Sequence, residues 1–571
     1  MEHNKTEDSG TLTITDDKGA AGSLTANGGI DGAGIGGSDE HDGQATITGG
    51  EITATGGNGG AGIGGGAGDT DAVGGDGDVT ISGGTITATG GRLGAGIGGG
   101  AYGNGTVTIT GGDITAKATG RYGAGIGGGY GAIPKDTLIG GNGTVTISGG
   151  TITEASGGYM AAGIGSGFQG LGTVTIEGDA VIKNAQGGKA GAGIGSGTRG
   201  DSEIIIRGDA VIENAESSAN GAGIGAGQGS LRDNISTVGK VTIEGNAKIE
   251  NAKSGSGGSG IGGGFIGIGN VIIRGNAQIG NATGGEEGAG IGGGALGTGD
   301  VTIEGNVTIE NAKGGAGAAG IGGGAETQPD TKDTRNKVSI KSTEAGSPDI
   351  TATGGGASDG SLPGAAAIGS GSVADGATEV KSDITIEGKV TIDATGGGDV
   401  AIGDSTNGET RFSGLQVGTT ITRRNAKGDD VSQPGDVVRE QAPTETEAAE
   451  APSTGSVEVE RPVTVEGLYV TNVLGKQITH TCTQNGTTLT IRANGIVTSA
   501  HLTLGMVRTL KAQGVKTLVF TTLLSRSTTV SVDALLAAEP DAPDETAVVW
   551  THTGPRAALT IGGADHSALL K

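Results

Sequence analysis

One cysteine, Cys482, stands in 571 residues, so no disulfide within the chain can hold the fold. Aromatic residues make up only 2% of the chain, which excludes a core built from large rings. No apolar run approaches the ~18–20 residues that a membrane-crossing helix needs. Basic residues are also short, 36 Lys and Arg against 62 Asp and Glu, and the net charge is −26. Nucleic acid and anionic membrane surfaces repel such a chain at long range, so neither is expected as a partner. The opening Met1-Glu2-His3-Asn4-Lys5 is polar and has no signal-peptide core. An extracellular or cell-surface location is expected, with export and anchoring segments lying outside this chain.

Glycine is abundant instead, 129 residues. A disordered Gly-rich tract needs no fixed spacing of apolar residues, whereas a stacked solenoid does. The spacing is present. A Gly-Ala-Gly-Ile-Gly-Gly-like motif recurs twelve times, from Ile35 through Ile97, Ile126 and Ile164 to Ile402. Five of the eleven intervals are 29 or 30 residues. Each motif follows an apolar-polar-apolar triplet such as Val79-Thr80-Ile81 or Val145-Thr146-Ile147, then a second short run such as Thr85-Ile86-Thr87.

Alternation sends Val and Ile to one face and Thr to the other. One coil cannot bury its own apolar face, so only stacking creates a core. Three short runs per unit therefore predict a parallel β-helix of about twelve coils, roughly 58 Å long at ~4.8 Å per coil. Right-handed winding follows from the handedness of parallel crossovers. The helix is expected over residues 1–425, with Glu326 to Pro348 as an inserted polar loop. An acidic, disordered linker is expected over 426–457.

From about Glu458 glycine thins and Leu and Val rise. Leu502, Met506, Val507 and Leu510 have helical spacing, with Gly514 as a stop. Val515–Thr522 and Ala547–Thr551 read as strands and Val532–Glu539 as a short helix. A small α/β domain over 458–571 is the expectation.

The scarce aromatics of the solenoid cluster. Tyr102, Tyr122, Tyr130, Tyr159 and Phe168 each lie within five residues of a central Ile, in coils three to five, and Phe265 repeats the position later. Arg92, Arg121 and Arg199 flank the same motif. Like positions on stacked coils form columns, so the five rings should make one lateral patch. Rigid rings beside hydrogen-bonding groups suit sugars, which present apolar C–H faces and hydroxyl edges. Rings that only cap glycine-rich bends, or that contact another protein, remain open readings. Turn acids Asp78, Asp113, Asp179, Asp209 and Asp300 offer oxygen ligands of the type calcium takes, without EF-hand spacing.

The run Gly-Gly-Thr-Ile-Thr-Ala-Thr-Gly-Gly (83–91) with Gly-Ala-Gly-Ile-Gly-Gly-Gly (94–100) resembles repeats in surface proteins of gut and cellulolytic Firmicutes. Some of those are carbohydrate-binding β-helix domains. The resemblance covers roughly residues 10–410. It implies a right-handed β-helix, attachment to plant or host polysaccharide, and possible calcium. Such proteins carry an export signal and a wall anchor, and neither pattern is in this sequence. The last domain resembles a module that follows such repeats, from which no function carries over.

Catalysis fits less well. A polysaccharide lyase or hydrolase needs a base or paired carboxylates in a cleft, and the aromatic patch is poor in acids. In the last domain His480 and Cys482 lie two apart, with His501, His552 and His566 following, but no third metal ligand is evident. An inert spacer is a third class, with outward Thr46, Thr80, Thr108, Thr146 and Thr175 as a solvated row. Ice binding is disfavoured because Ile205 and Ile272 interrupt that row. The expectation is a non-catalytic, adhesin-like β-helix that binds polysaccharide through Tyr102, Tyr122, Tyr130, Tyr159, Phe168, Arg92 and Arg121.

Overall fold

Each Val-Thr-Ile triplet folds as expected from its alternation: Val145 and Ile147 are buried and Thr146 is half-exposed. The computed structural model describes residues 12–16, 22–68, 75–131, 141–325, 335–357, 362–373, 381–404, 411–433, 436–437 and 461–570, the last span with gaps at 464, 466, 473–474, 479, 494–496, 523–525 and 554–555. Two compact units divide the chain, residues 1–442 and 443–571.

In the first unit the described strands form three parallel sheets of 13, 14 and 12 strands. Coil 1 supplies Leu12–Ile14, Ser23–Asn27 and Ile35–Gly36, one strand to each sheet, and every later coil adds one more rung. The result is a right-handed parallel β-helix of twelve full coils, numbered here by their central isoleucines from Ile35 to Ile402. Two strands of a thirteenth follow, Arg411–Ser413 and Thr420–Arg424. Register is residue for residue: Val107 faces Val79 and Val145, and Ile126 faces Ile97 and Ile164. The inward residues join into one continuous cluster along the unit, so small aliphatics build the core without rings.

Glycine is required at one position above all. The residue after each central Ile has φ near +130°, as at Gly98 (+128°) and Gly127 (+127°). A Cβ on Gly127 would drive into the carbonyl of Gly165 on the next coil.

Two coil designs share this interior. In coils 2 to 4 the second run reads Ile-Thr-Ala, as Ile86-Thr87-Ala88, with Ile and Ala buried. Coil 5 inserts one residue, Ile152-Thr153-Glu154-Ala155, and the register shifts between coils 4 and 5. The insertion persists through coil 10 and is withdrawn between Ile309-Glu310-Asn311-Ala312 and Ile350-Thr351-Ala352. It is a β-bulge stacked on itself for six coils. Asparagine fills it. The Asn214 amide donates to the Lys183 carbonyl at 3.0 Å, and Asn251 to the Glu213 carbonyl at 3.1 Å. Asn251 also donates to Asn214 Oδ1, Asn281 to Asn251, and Asn311 to Asn281, at 3.0 to 3.2 Å. An amide both donates and accepts, so the column satisfies its own polar atoms and those of the interrupted ladder.

The residue after the triplet also differs between the designs. It is a hydroxyl in coils 2 to 5, namely Thr48, Ser82, Thr110 and Ser148. From coil 6 it alternates in sign: Glu177, Arg207, Glu244, Arg274, Glu304, Lys341, Glu387. Arg207 pairs with Glu177 and Arg274 with Glu244, both at 2.5 Å, and Lys341 with Glu387 at 3.4 Å.

Two stretches differ from expectation. Asn336–Lys341, read as part of a loop, is a strand of the first sheet in register with Asp300–Glu304, and Val338-Ser339-Ile340 is its triplet with Ser in place of Thr. The rest of that loop up to 334 lies outside the described residues. At the other end, Ile421 donates to the Asp436 carbonyl, and Arg423 makes a two-pronged pair with the Asp436 carboxylate, both contacts 2.9 Å and both side chains buried. The described residues 426–433 and 436–437 thus fold back on the last rung; the rest of the expected linker up to 457 lies outside the described residues.

The second unit is mainly β rather than α/β. A five-stranded sheet contains His480–Asn485, Thr488–Ala493, Thr517–Thr522 and Arg526–Ser531; a six-stranded sheet contains Tyr469–Asn472, Val497–Thr503, Ala547–Thr553 and Arg556–Ile561. Among these pairings only Thr488–Ala493 with Thr517–Thr522 is parallel. Helix α1 spans Leu504–Ala512, capped by the Thr503 hydroxyl, and α2 spans Val532–Ala538. Leu502 belongs to the strand before α1 rather than to the helix. Its helical spacing arises because both elements bury the same side, against Phe520 and Trp550 in one core.

Candidate functional site

The third side of each coil is an arch centred on the Ile-Gly strand, and the arms of successive arches meet. Phe168 N–H donates to the Tyr122 carbonyl at 3.0 Å, Tyr130 N–H to that of Leu93 at 2.8 Å, and Thr198 N–H to that of Met160 at 2.8 Å. These contacts bring residues four before one isoleucine against residues four after the next. The aromatic side chains sit at and beside those positions, so the fold gathers them.

Tyr102 and Tyr130 have ring centroids 5.2 Å apart, Tyr122 and Tyr130 4.7 Å, and Tyr122 and Phe168 5.5 Å. Tyr130 and Phe168 stack at 6.0 Å with 13° between planes. Four of the five expected rings therefore form one cluster, in favoured edge and offset geometries. Burial raises the Tyr130 phenol pKa, with Tyr102 and Tyr122 adding to the effect, so its hydroxyl stays protonated at neutral pH.

Tyr102 sits five residues after its isoleucine with φ +59°, and Gln169, Arg199, Ile266 and Leu296 share that left-handed position. Side chains cost about 1 kcal/mol there relative to glycine. The backbone N–H of each reaches the next coil, Tyr102 to the Tyr130 carbonyl at 2.7 Å and Arg199 to that of Gln228 at 2.8 Å, which offsets the strain.

Tyr159 is 45% exposed and stands apart from the ring cluster, bound into a column of cations. The Arg121 guanidinium lies 5.3 Å from the Tyr159 centroid and 5.7 Å from that of Tyr122. Lys189 Nζ lies 5.8 Å from the same Tyr159 ring. Arg92 belongs to this column, one coil earlier, where its carbonyl accepts from Arg121 N–H at 3.3 Å, and it makes no ring contact among the described residues. Arg199 sits 6.0 Å from the Phe168 ring and pairs with Asp233. Phe265 is not part of the cluster; it packs beside Gly257 three coils on.

Lys189 escaped the sequence reading, although it lies five residues before Ile194, the offset that Arg92, Arg121 and Tyr159 have from their own isoleucines. Composition singled out rings and arginines, and a lysine in a chain with paired charges elsewhere gave no contrast.

The turn acids do not converge. Among the described residues no group of three or more His, Cys, Asp or Glu side chains is placed to hold a metal. Asp209 accepts from the Asn246 amide at 2.9 Å, and Asp300 faces Lys337 across the sheet. Among the described residues the carboxyl pKa values of Asp430 and Asp565 are lowered by hydrogen bonds from Ser432 and Ser567.

In the second unit the histidines disperse. Cys482 is buried in the core, and burial pushes its thiol up to about 11, far from a nucleophile's range. His501 stacks on Tyr469 at 4.6 Å and bonds the Thr471 hydroxyl at 2.9 Å, and burial lowers its pKa. His552 is enclosed between the Thr522 and Thr528 hydroxyls at 3.1 and 2.7 Å. His566 faces Glu539.

A family model described as the β-helix repeat matches residues 46–67, 79–101, 107–130 and 145–168, one span in each of coils 2 to 5. No curated protein and no solved structure matches the chain. The repeat match and the three parallel sheets stacked rung on rung agree that the first unit is a parallel β-helix.

Proposed function

We propose that the protein is a non-catalytic, adhesin-like binder of polysaccharide at a bacterial cell surface, and that coils 3 to 6 carry the binding corner. The observation behind this reading is the gathering of Tyr102, Tyr122, Tyr130 and Phe168 into one ring cluster beside the Arg121–Tyr159–Lys189 column. A chain with so few rings commits half of them to one surface corner. Binding without chemistry suits a corner whose ring contacts are with cations and other rings. Calcium remains a proposal that a chelator arm can test.

A spacer role is the second reading, favoured by the alternating column from Glu177 to Glu387, which occupies solvent-facing positions with internal ion pairs rather than with ligand-ready groups. A glycan screen with and without chelator separates the two. Glycan binding by the full chain, lost in Tyr122→Ala plus Tyr130→Ala and retained in Tyr122→Phe, supports the corner. No glycan retained under any condition supports the spacer, and release of new reducing or unsaturated ends would make it an enzyme.

A further inference from the structure

The rings of the corner already contact one another or cations. Tyr122 and Tyr130 meet each other and Phe168, and Tyr159 is contacted by Arg121 from the coil before and Lys189 from the coil after. A sugar stacking on an open aromatic face would have to displace these contacts. The column instead offers outward charge. Arg92, Arg121 and Lys189 are exposed, and none makes an ion pair among the described residues. On the later coils Arg207, Arg274 and Lys240 are each paired with a glutamate. Backbone bonds fix the spacing: Arg121 N–H to the Arg92 carbonyl, Met160 N–H to that of Arg121, and Ala190 N–H to that of Tyr159. Successive positions therefore lie one coil apart, ~4.8 Å, on a line along the solenoid. Cation–π contact holds Arg121 and Lys189 against a rigid ring, which lowers the entropy lost when they bind an anion.

We infer that the polysaccharide held at this corner is acidic and runs along the solenoid axis, with its carboxylates on Arg92, Arg121 and Lys189. This rests on the polysaccharide reading above. A local stripe of unpaired cations on a chain of net charge −26 attracts what the rest of the surface repels, so it selects an anionic chain and fixes where it lies. Guanidinium groups take carboxylates in two-pronged geometry, which adds direction to the attraction.

The test compares an oligogalacturonate of about eight sugars with the same oligomer after its carboxyls are reduced to alcohols, using titration calorimetry on the full chain. Binding of the acid form at least tenfold tighter, weakening as salt rises, is expected. Arg121→Gln with Lys189→Gln should lower acid binding at least tenfold and close most of the gap between the two forms, while Lys313→Gln, four coils past Lys189, should leave the gap as it is. Equal binding of the two forms would overturn the acidic inference and leave the polysaccharide reading standing. Equal binding of polyglutamate would show that charge alone is read, and would overturn the inference as well. If neither oligomer binds but a sulfated glycan does, the carboxylate assignment fails; if no glycan of any kind binds, both readings fail together.

Discussion

Coils 2 to 4 and coils 6 to 10 enclose the same interior with different edges. The early coils turn through Gly-Gly pairs and show hydroxyls outside. The later ones carry a stacked bulge, asparagine ladders and charges of alternating sign. The repeat model matches coils 2 to 5 and not the later coils. The fold therefore depends on the inward column and the glycine after it, which both regions keep. The exterior is free to vary, and the aromatic and cationic corner sits where one design passes into the other, on coils 3 to 6.

The sharpest way to break the comparison is to attack what is shared. Gly127→Ala in the early coils and Gly262→Ala in the later ones place a Cβ against the next coil's carbonyl at φ near +130°. Each should cost about 3 kcal/mol or more, equally in both regions, by urea unfolding. A large difference between the two would mean that the interiors are not equivalent.

A smaller effect should appear in the later region alone. Asn251→Ala removes bonds to the Glu213 carbonyl and to Asn214 and leaves Asn281 with only its longer bond to the Glu250 carbonyl, a loss of about 1–2 kcal/mol. Glu154→Ala, at the same bulge position where the ladder has not begun, loses a part-exposed pair with Lys117 at 2.7 Å and should cost under about 0.5 kcal/mol. Hydrogen exchange of the flanking amides would resolve the two. A similarly small change is expected of Arg207→Glu, which sets three acids in a row and should lower the unfolding free energy by under about 1 kcal/mol at low salt. Adding Glu177→Arg should restore part of it.

Much of this was legible in the sequence. The Val-Thr-Ile triplets, the central isoleucines and the clustering of Tyr102, Tyr122, Tyr130 and Phe168 follow from periodicity, because a column exists wherever like positions recur; Tyr159, expected in the same patch, stands apart from it. The strand at Asn336–Lys341 was hidden by a single Ser for Thr and by polar neighbours that dilute its two apolar residues. The terminal domain was misjudged because its strands, such as His480–Asn485, are rich in Thr and short of Val and Ile, so the two helices stood out against them.

Periodicity along the chain by itself determined the coil, its inward residues, its glycines and the side on which rings would gather. Those depend on local alternation and on the ~4.8 Å repeat of stacked strands, which any sequence of this period must satisfy. The tertiary structure alone decided where the bulge enters and leaves, and that Tyr159 would be contacted by both Arg121 and Lys189. Register shifts and ring orientations are set by what each coil finds on the coils before and after it. Those neighbours lie 28 to 47 residues away in the chain.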